Sequence, residues 1–213
     1  MKYTNKMILV LMALVCLVLV GCPQPEHSTS STTWSEITSL DGLDGTWVGT
    51  YTETVNVKDV MENSDTDQYL EINIPDVDCT VETKYTAVVK NNKLKLDVSG
   101  KVDMTEYIDA IVEEYKESSD DLTADYIWET MKLSMEGYES SGISLSEGRP
   151  YIYEITMSYG EMAYEDIIAD NVKFYVNSAK TAVRYVTTVQ KTDGSGNPIA
   201  GKVEKVTIIL IKQ

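Results

Sequence analysis

Histidine and phenylalanine each occur once in the 213 residues, as His27 and Phe174, and there are only three cysteines and five prolines. A single histidine excludes the Ser-His-Asp arrangement and the multi-histidine zinc sites, since both need an imidazole beside a nucleophile or on the metal. Basic residues are also scarce. The chain carries 18 Lys and Arg against 34 Asp and Glu, a formal charge of −16. A nucleic-acid binder neutralises phosphates with clustered cations, so this balance argues against nucleic acid as a partner and against anionic lipid surfaces. No glycine-rich phosphate loop follows a strand pattern. The acidic run "NSDTDQYLE" (63–71) lacks the glycine and distal glutamate of a calcium loop, with Ile74 where the glutamate belongs, and the alternating Asp193, Ser195 and Asn197 are ordinary turn residues. Carboxylate pairs are too numerous to single out an acid and a base. The chain reads as a non-enzyme with no cofactor and no metal.

Long apolar runs are absent except at the start. Lys2 and Lys6 precede the run Met7–Val20, which small Gly21 and Cys22 close. A bilayer span needs ~20 apolar residues, whereas a charged start, a short apolar core and a small-residue end describe a secretory signal. Leu19-Val20-Gly21-Cys22 resembles a bacterial lipobox. That resemblance implies cleavage before Cys22 and attachment of acyl chains of the palmitate type to it, with residues 1–21 as lipoprotein signal peptide. Two or more chains hold a protein stably on a membrane, at about 0.8 kcal/mol per buried CH₂. The expected location is the cell envelope, anchored by lipid and facing the periplasm or the exterior. The leader holds two of the 18 basic residues and no acidic ones, so 16 remain against 34 and the mature side chains carry −18.

Residues 22–40 then read as acylated cysteine and flexible tether. "PQPEHSTSSTTWSE" (23–36) is Pro-, Ser- and Thr-rich and contains His27, which has no partner pattern for catalysis or ligation. Residues 41–213 make one ordinary domain. Cys16 leaves with the leader and Cys22 is acylated, so Cys79 alone remains and no intrachain disulfide forms. A lone cysteine pairs between chains or stays a free thiol; its position on an alternating strand favours a buried small hydrophobe.

Period-two alternation dominates the domain. Trp47, Gly49, Tyr51, Val55 and Val57 share one face; so do Val81, Tyr85, Ala87 and Val89, and Leu94, Leu96, Val98 and Val102. Asn91-Asn92 between the last two runs predicts a tight hairpin, because asparagine tolerates positive φ. Further runs place Tyr151, Tyr153, Ile155, Met157 and Tyr159 together, pair 171–178 with 181–191, and end the chain with a strand at 202–212; "YLEINI" (69–74) is a short candidate. Between them the period changes. Ile108, Ile111, Val112 and Tyr115, then Ile127, Met131, Met135 and Tyr138, recur at helical spacing, giving a two-helix insert over about 104–143, with Asp103 or Thr105 at its start. The sum is a mainly β chain, an antiparallel up-and-down barrel of about eight strands with a helical insert.

"LDGTWVGTY" (43–51) resembles the opening of lipocalin-like proteins, including bacterial lipocalin-like lipoproteins, in which a Gly-x-Trp motif begins the first barrel strand; Gly45 and Trp47 match it. The resemblance implies that Trp47 packs across a closed barrel end near an arginine of a late strand. Arg184 lies on a late strand, but on the face opposite Val183 and Tyr185. The family's second motif, a Thr-Asp-x-x-Tyr turn, is not found. Tyrosine occurs 14 times. Tyr51, Tyr85, Tyr151, Tyr153 and Tyr159 would line an apolar interior with hydroxyl handles, suited to a small apolar or amphipathic ligand, or would fill a solid core. The insert is expected to cover one barrel mouth as a lid, with Met131 and Met135 at a ligand entrance. Two functions stand open: a membrane-anchored ligand-binding barrel, and a solid-barrel interaction module whose insert binds a protein.

Overall fold

The computed structural model describes residues 33–58, 75–116, 122–135, 142–168, 172–192 and 198–213, with only the backbone given for 188–192, 198–204 and 206. The leader, Cys22, His27, "YLEINI", the acidic 63–71 run, the link 117–121 and Tyr138 lie outside these residues. Nine strands form one antiparallel sheet: β1 (Trp34–Glu36), β2 (Gly45–Asn56), β3 (Asp78–Lys90), β4 (Lys93–Asp103), β5 (Ile143–Leu145), β6 (Ile152–Ala163), β7 (Val172–Asn177), β8 (Ala182–Thr192) and β9 (Pro198–Lys212). The helices α1 (Thr105–Tyr115), α2 (Ala124–Met135) and the single-turn α3 (Tyr164–Ile167) lie between them. Among the described residues no helix is long and apolar enough to cross a membrane.

The strand order is β1-β7-β8-β9-β2-β3-β4-β6-β5. Strands β2-β3-β4 and β7-β8-β9 are meanders, and β9 pairs with β2 at Trp47↔Lys212 and Val48↔Ile211, joining the last strand to the first long one. The hairpin between β3 and β4 turns on Asn91 and Asn92 at φ 52° and 58°, as their tolerance of the left-handed region predicts. The sheet is not closed into a barrel. Among the described residues its edges are β1 and β5, and no ladder joins β6 to β7. After β6 the chain turns into α3, whose Asp166 carboxylate accepts the backbone N–H of Ala163 (2.8 Å), so β7 does not return by a tight hairpin. Part of each free edge is taken instead by a three-residue strand, β5 on β6 and β1 on β7.

β1 lies within the stretch expected to be tether. Trp34, Ile37 and Leu40 are isolated apolar residues in a Ser- and Thr-rich run, too sparse for a periodic signal. Ile37 and Leu40 are nevertheless buried, at 9% and 5% exposure. The fold therefore starts by Trp34 rather than at residue 41.

One sheet face carries two apolar clusters at opposite ends of the strands. At one end α1 and α2 bury Ile108, Ile111, Ile127, Trp128, Met131 and Met135 against Cys79, Val81, Val102, Tyr151, Tyr153 and Ile155. At the other, Trp47, Ala87, Val89, Leu94, Val183 and Leu210 pack with Ile37, Leu40 and Leu43. The residues of each strand alternate, which keeps both clusters on a single face. A bulge between Leu94 and Leu96 breaks the alternation on β6, and both Tyr159 and Met162 pair with inward residues there.

Candidate ligand cavity

The cluster around Trp47 is incompletely filled. It borders a half-open cavity of about 400 Å³, inside the ~300–1,000 Å³ range of small-molecule sites. Trp47, Leu40 and Leu43 form its base. Its walls come from Tyr85, Ala87 and Val89 of β3, Leu94, Leu96 and Val98 of β4, and Tyr159 and Met162 of β6. Phe174 of β7, Tyr185 and Thr187 of β8, and Ile208 and Leu210 of β9 complete them. Asp166 and Ile167 of α3 lie at the rim, and the Asp166 side chain is exposed.

Local chemistry holds the base in place. Trp47 is 1% exposed, and its indole Nε1 donates to the carbonyl of Leu43 at 2.9 Å. The ammonium of Lys212 lies 5.2 Å from the centre of the same ring. Gly45, at φ +138°, makes that approach possible, since a Cβ there would stand 2.8 Å from Lys212 Cε. The segment before β2 is tied to the β3–β4 turn: the Leu40 N–H donates to Asn92 Oδ1 and the Asn91 N–H to Asp44 Oδ1, both at 3.0 Å. Across the unladdered gap, the Tyr164 hydroxyl donates to the Ile37 carbonyl at 2.6 Å, and burial followed by nearby Glu36 pushes this phenol's pKa up.

Of the tyrosines and methionines expected at a ligand, Tyr85 and Tyr159 line the cavity. Tyr51 shares the inner face but stands beyond it, half-buried, with its hydroxyl donating to Glu53 at 3.3 Å. Tyr151 and Tyr153 lie in the helical cluster. Tyr151 packs on Trp128 with ring centres 5.3 Å apart and donates to Asp125 Oδ1 at 2.6 Å, a bond that raises its pKa. Met131 and Met135 are 1% and 3% exposed in the same cluster; Met135 also borders a groove between α2 and β5. The insert thus covers the sheet end away from Trp47, and its methionines pack as core and do not line the cavity.

Sequence reasoning passed over Tyr185 and Thr187, whose parity with Val183 was the available signal, and Ile37, Leu40, Leu43, Phe174 and Asp166, which only the three-dimensional approach of α3 and β1 brings in. The late-strand arginine is elsewhere. Arg184 lies between the rings of Trp34 and Tyr175, 4.9 Å from each centre, and the cation over Trp47 is Lys212 instead. Cys79 is buried and reduced; burial, then the charges of Asp103, Glu106 and Asp78, push its thiol from the ordinary 9.0 up to about 12.

Comparison with protein families, with curated proteins and with solved structures finds no match to this chain.

Proposed function

We propose that the chain is a membrane-anchored, extracytoplasmic lipoprotein whose lipocalin-like sheet holds a small apolar or amphipathic ligand in the cavity over Trp47. The cavity carries this reading: about 400 Å³ of space walled by apolar and aromatic side chains with a few hydroxyls. A half-open concave space of this size with mainly apolar and aromatic walls is the form that small-molecule sites take, which supports binding. The Gly45–Trp47 opening and the lipobox-like Leu19–Cys22 support the lipocalin-like lipoprotein assignment. Binding, not catalysis, is the proposed activity, in the cell envelope and outside the cytoplasm.

Filling the cavity tests it. Ala87 is 4% exposed and faces the space, so Ala87→Phe should abolish retention of a co-purifying small molecule in native mass spectrometry while the circular dichroism stays that of a β protein. Equal retention by the variant overturns the reading. The second reading, a protein-interaction module, is favoured by one observation: Tyr126 and Leu133 of α2 are 62% and 64% exposed. Under that reading Ala87→Phe is silent.

A further inference from the structure

We infer that the cavity selects its ligand by charge sign, taking a hydrophobic amine or quaternary ammonium in preference to a carboxylate amphiphile. This rests on the proposed ligand-binding reading and narrows its chemistry. Among the described lining residues Asp166 is the only charged one, and no Lys, Arg or His joins it. A ligand carboxylate drawn into this space would lose water without gaining a cation, a cost that burial of an unpaired charge always carries.

The rim is built for the opposite sign. The Asp166 carboxylate accepts one backbone N–H, that of Ala163, and among the described residues no cation pairs with it. Phe174 and Tyr185 line the same cavity as Asp166, and Tyr164 of α3 packs on Phe174. Tyr164 and Phe174 have centres 6.3 Å apart, and Phe174 and Tyr185 5.3 Å apart, tilted in both cases. Tyr159, 41% exposed, adds a partly open ring to the cavity wall. Ring faces attract ammonium groups, and a neighbouring carboxylate adds to that attraction. Lysines on the neighbouring elements have other contacts: Lys93 pairs with Glu161 at 3.3 Å and Lys173 with Glu36 at 3.4 Å, and Lys212 lies over Trp47.

Three probes of one chain length separate the possibilities: decyltrimethylammonium, 1-decanol and decanoate. Each is titrated calorimetrically into the mature chain, produced as Cys22→Ser so that no acyl chain competes for the cavity. The ammonium should bind about tenfold tighter than the alcohol, the scale of one ring contact plus one partly exposed ion pair, and decanoate should bind weakest. Asp166→Asn, which keeps an oxygen for the Ala163 N–H, should remove most of that advantage. Glu82→Gln, an equal loss of charge on an exposed outward position of β3, should leave it. Should Asp166→Asn fail to fold, Tyr159→Leu takes its place and should lower the ammonium advantage while sparing the alcohol. Decanoate binding as tightly as the ammonium overturns the inference and leaves the cavity reading standing. Equal effects of the Asp166 and Glu82 changes overturn it too, because overall charge would then set the preference. If none of the three binds, the ligand-binding reading itself fails.

Discussion

The hydroxyl of Tyr164 donates to the carbonyl of Ile37 at 2.6 Å across the one place where consecutive long strands of the described sheet share no ladder. Ile37 in turn donates its N–H to Phe174 at 3.0 Å, so helix α3, the segment after β1 and strand β7 form a three-way junction. Tyr164→Phe removes one bond, worth about 0.5–1.5 kcal/mol. The expected result is faster amide exchange at Ile37 with little change at the β3–β4 ladder. Uniform acceleration across the sheet would show that the junction is part of the global fold.

Trp47 anchors the base of the cavity through its indole bond and its cover by Lys212. Trp47→Ala should cost about 3–5 kcal/mol, the range for large buried aromatics, measured by denaturant unfolding. A loss below about 1 kcal/mol is what a surface position gives, and would remove the main support for the lipocalin-like reading.

Met131 distinguishes an integral insert from a loose lid. It is 1% exposed among Tyr151, Tyr153 and Cys79, and Met131→Ala should cost about 2–5 kcal/mol in a single cooperative transition. Two separated transitions in the variant would show that α1 and α2 come away from a sheet that stays folded.

Cys79 makes stability depend on alkaline pH. Its thiol pKa is raised by folding, from 9.0 to about 12, so the native state holds the proton that the unfolded chain releases. The contribution is fully present below about pH 9 and is lost as pH rises towards 12. Cys79→Ala should flatten the fall in stability over that window, and the native thiol should resist a disulfide reagent at pH 8 while the unfolded chain reacts. A reactive native thiol at pH 8 would contradict the burial.

Cys22→Ser tests the anchor. The variant should incorporate no radiolabelled palmitate and should leave the membrane fraction. Equal labelling of the variant would end the lipoprotein reading.

Much of the fold is legible in the residues. Alternation gives the inward face of β2, β3 and β4, Asn91-Asn92 gives their turn, and the change of period at Asp103 gives α1 and α2 within a few residues of Thr105–Tyr115 and Ala124–Met135. What alternation cannot give is height along a strand. Tyr153 and Tyr159 share a face by parity, yet one lies under the helices and the other at the cavity, because they stand at different heights on β6 and the helices cover only the Tyr153 end. β1 and β5 escape notice for another reason: three residues hold too few alternations to show a period, and each exists only because a neighbouring edge offers it a ladder. The failure of β6 to meet β7 is likewise a tertiary matter, decided by the short turn of helix that follows Ala163.

The same two short strands bear on how copies of this chain behave towards one another at high local concentration. A sheet edge is a template for a foreign strand, and the longer and flatter the edge, the more a second chain gains by adding to it. Here the outermost strands, Trp34–Glu36 and Ile143–Leu145, are three residues each. An incoming strand finds little to pair with on either of these outermost strands, whereas β6 beyond Ile155 has no ladder on that side among the described residues, so an added chain would gain most along that stretch.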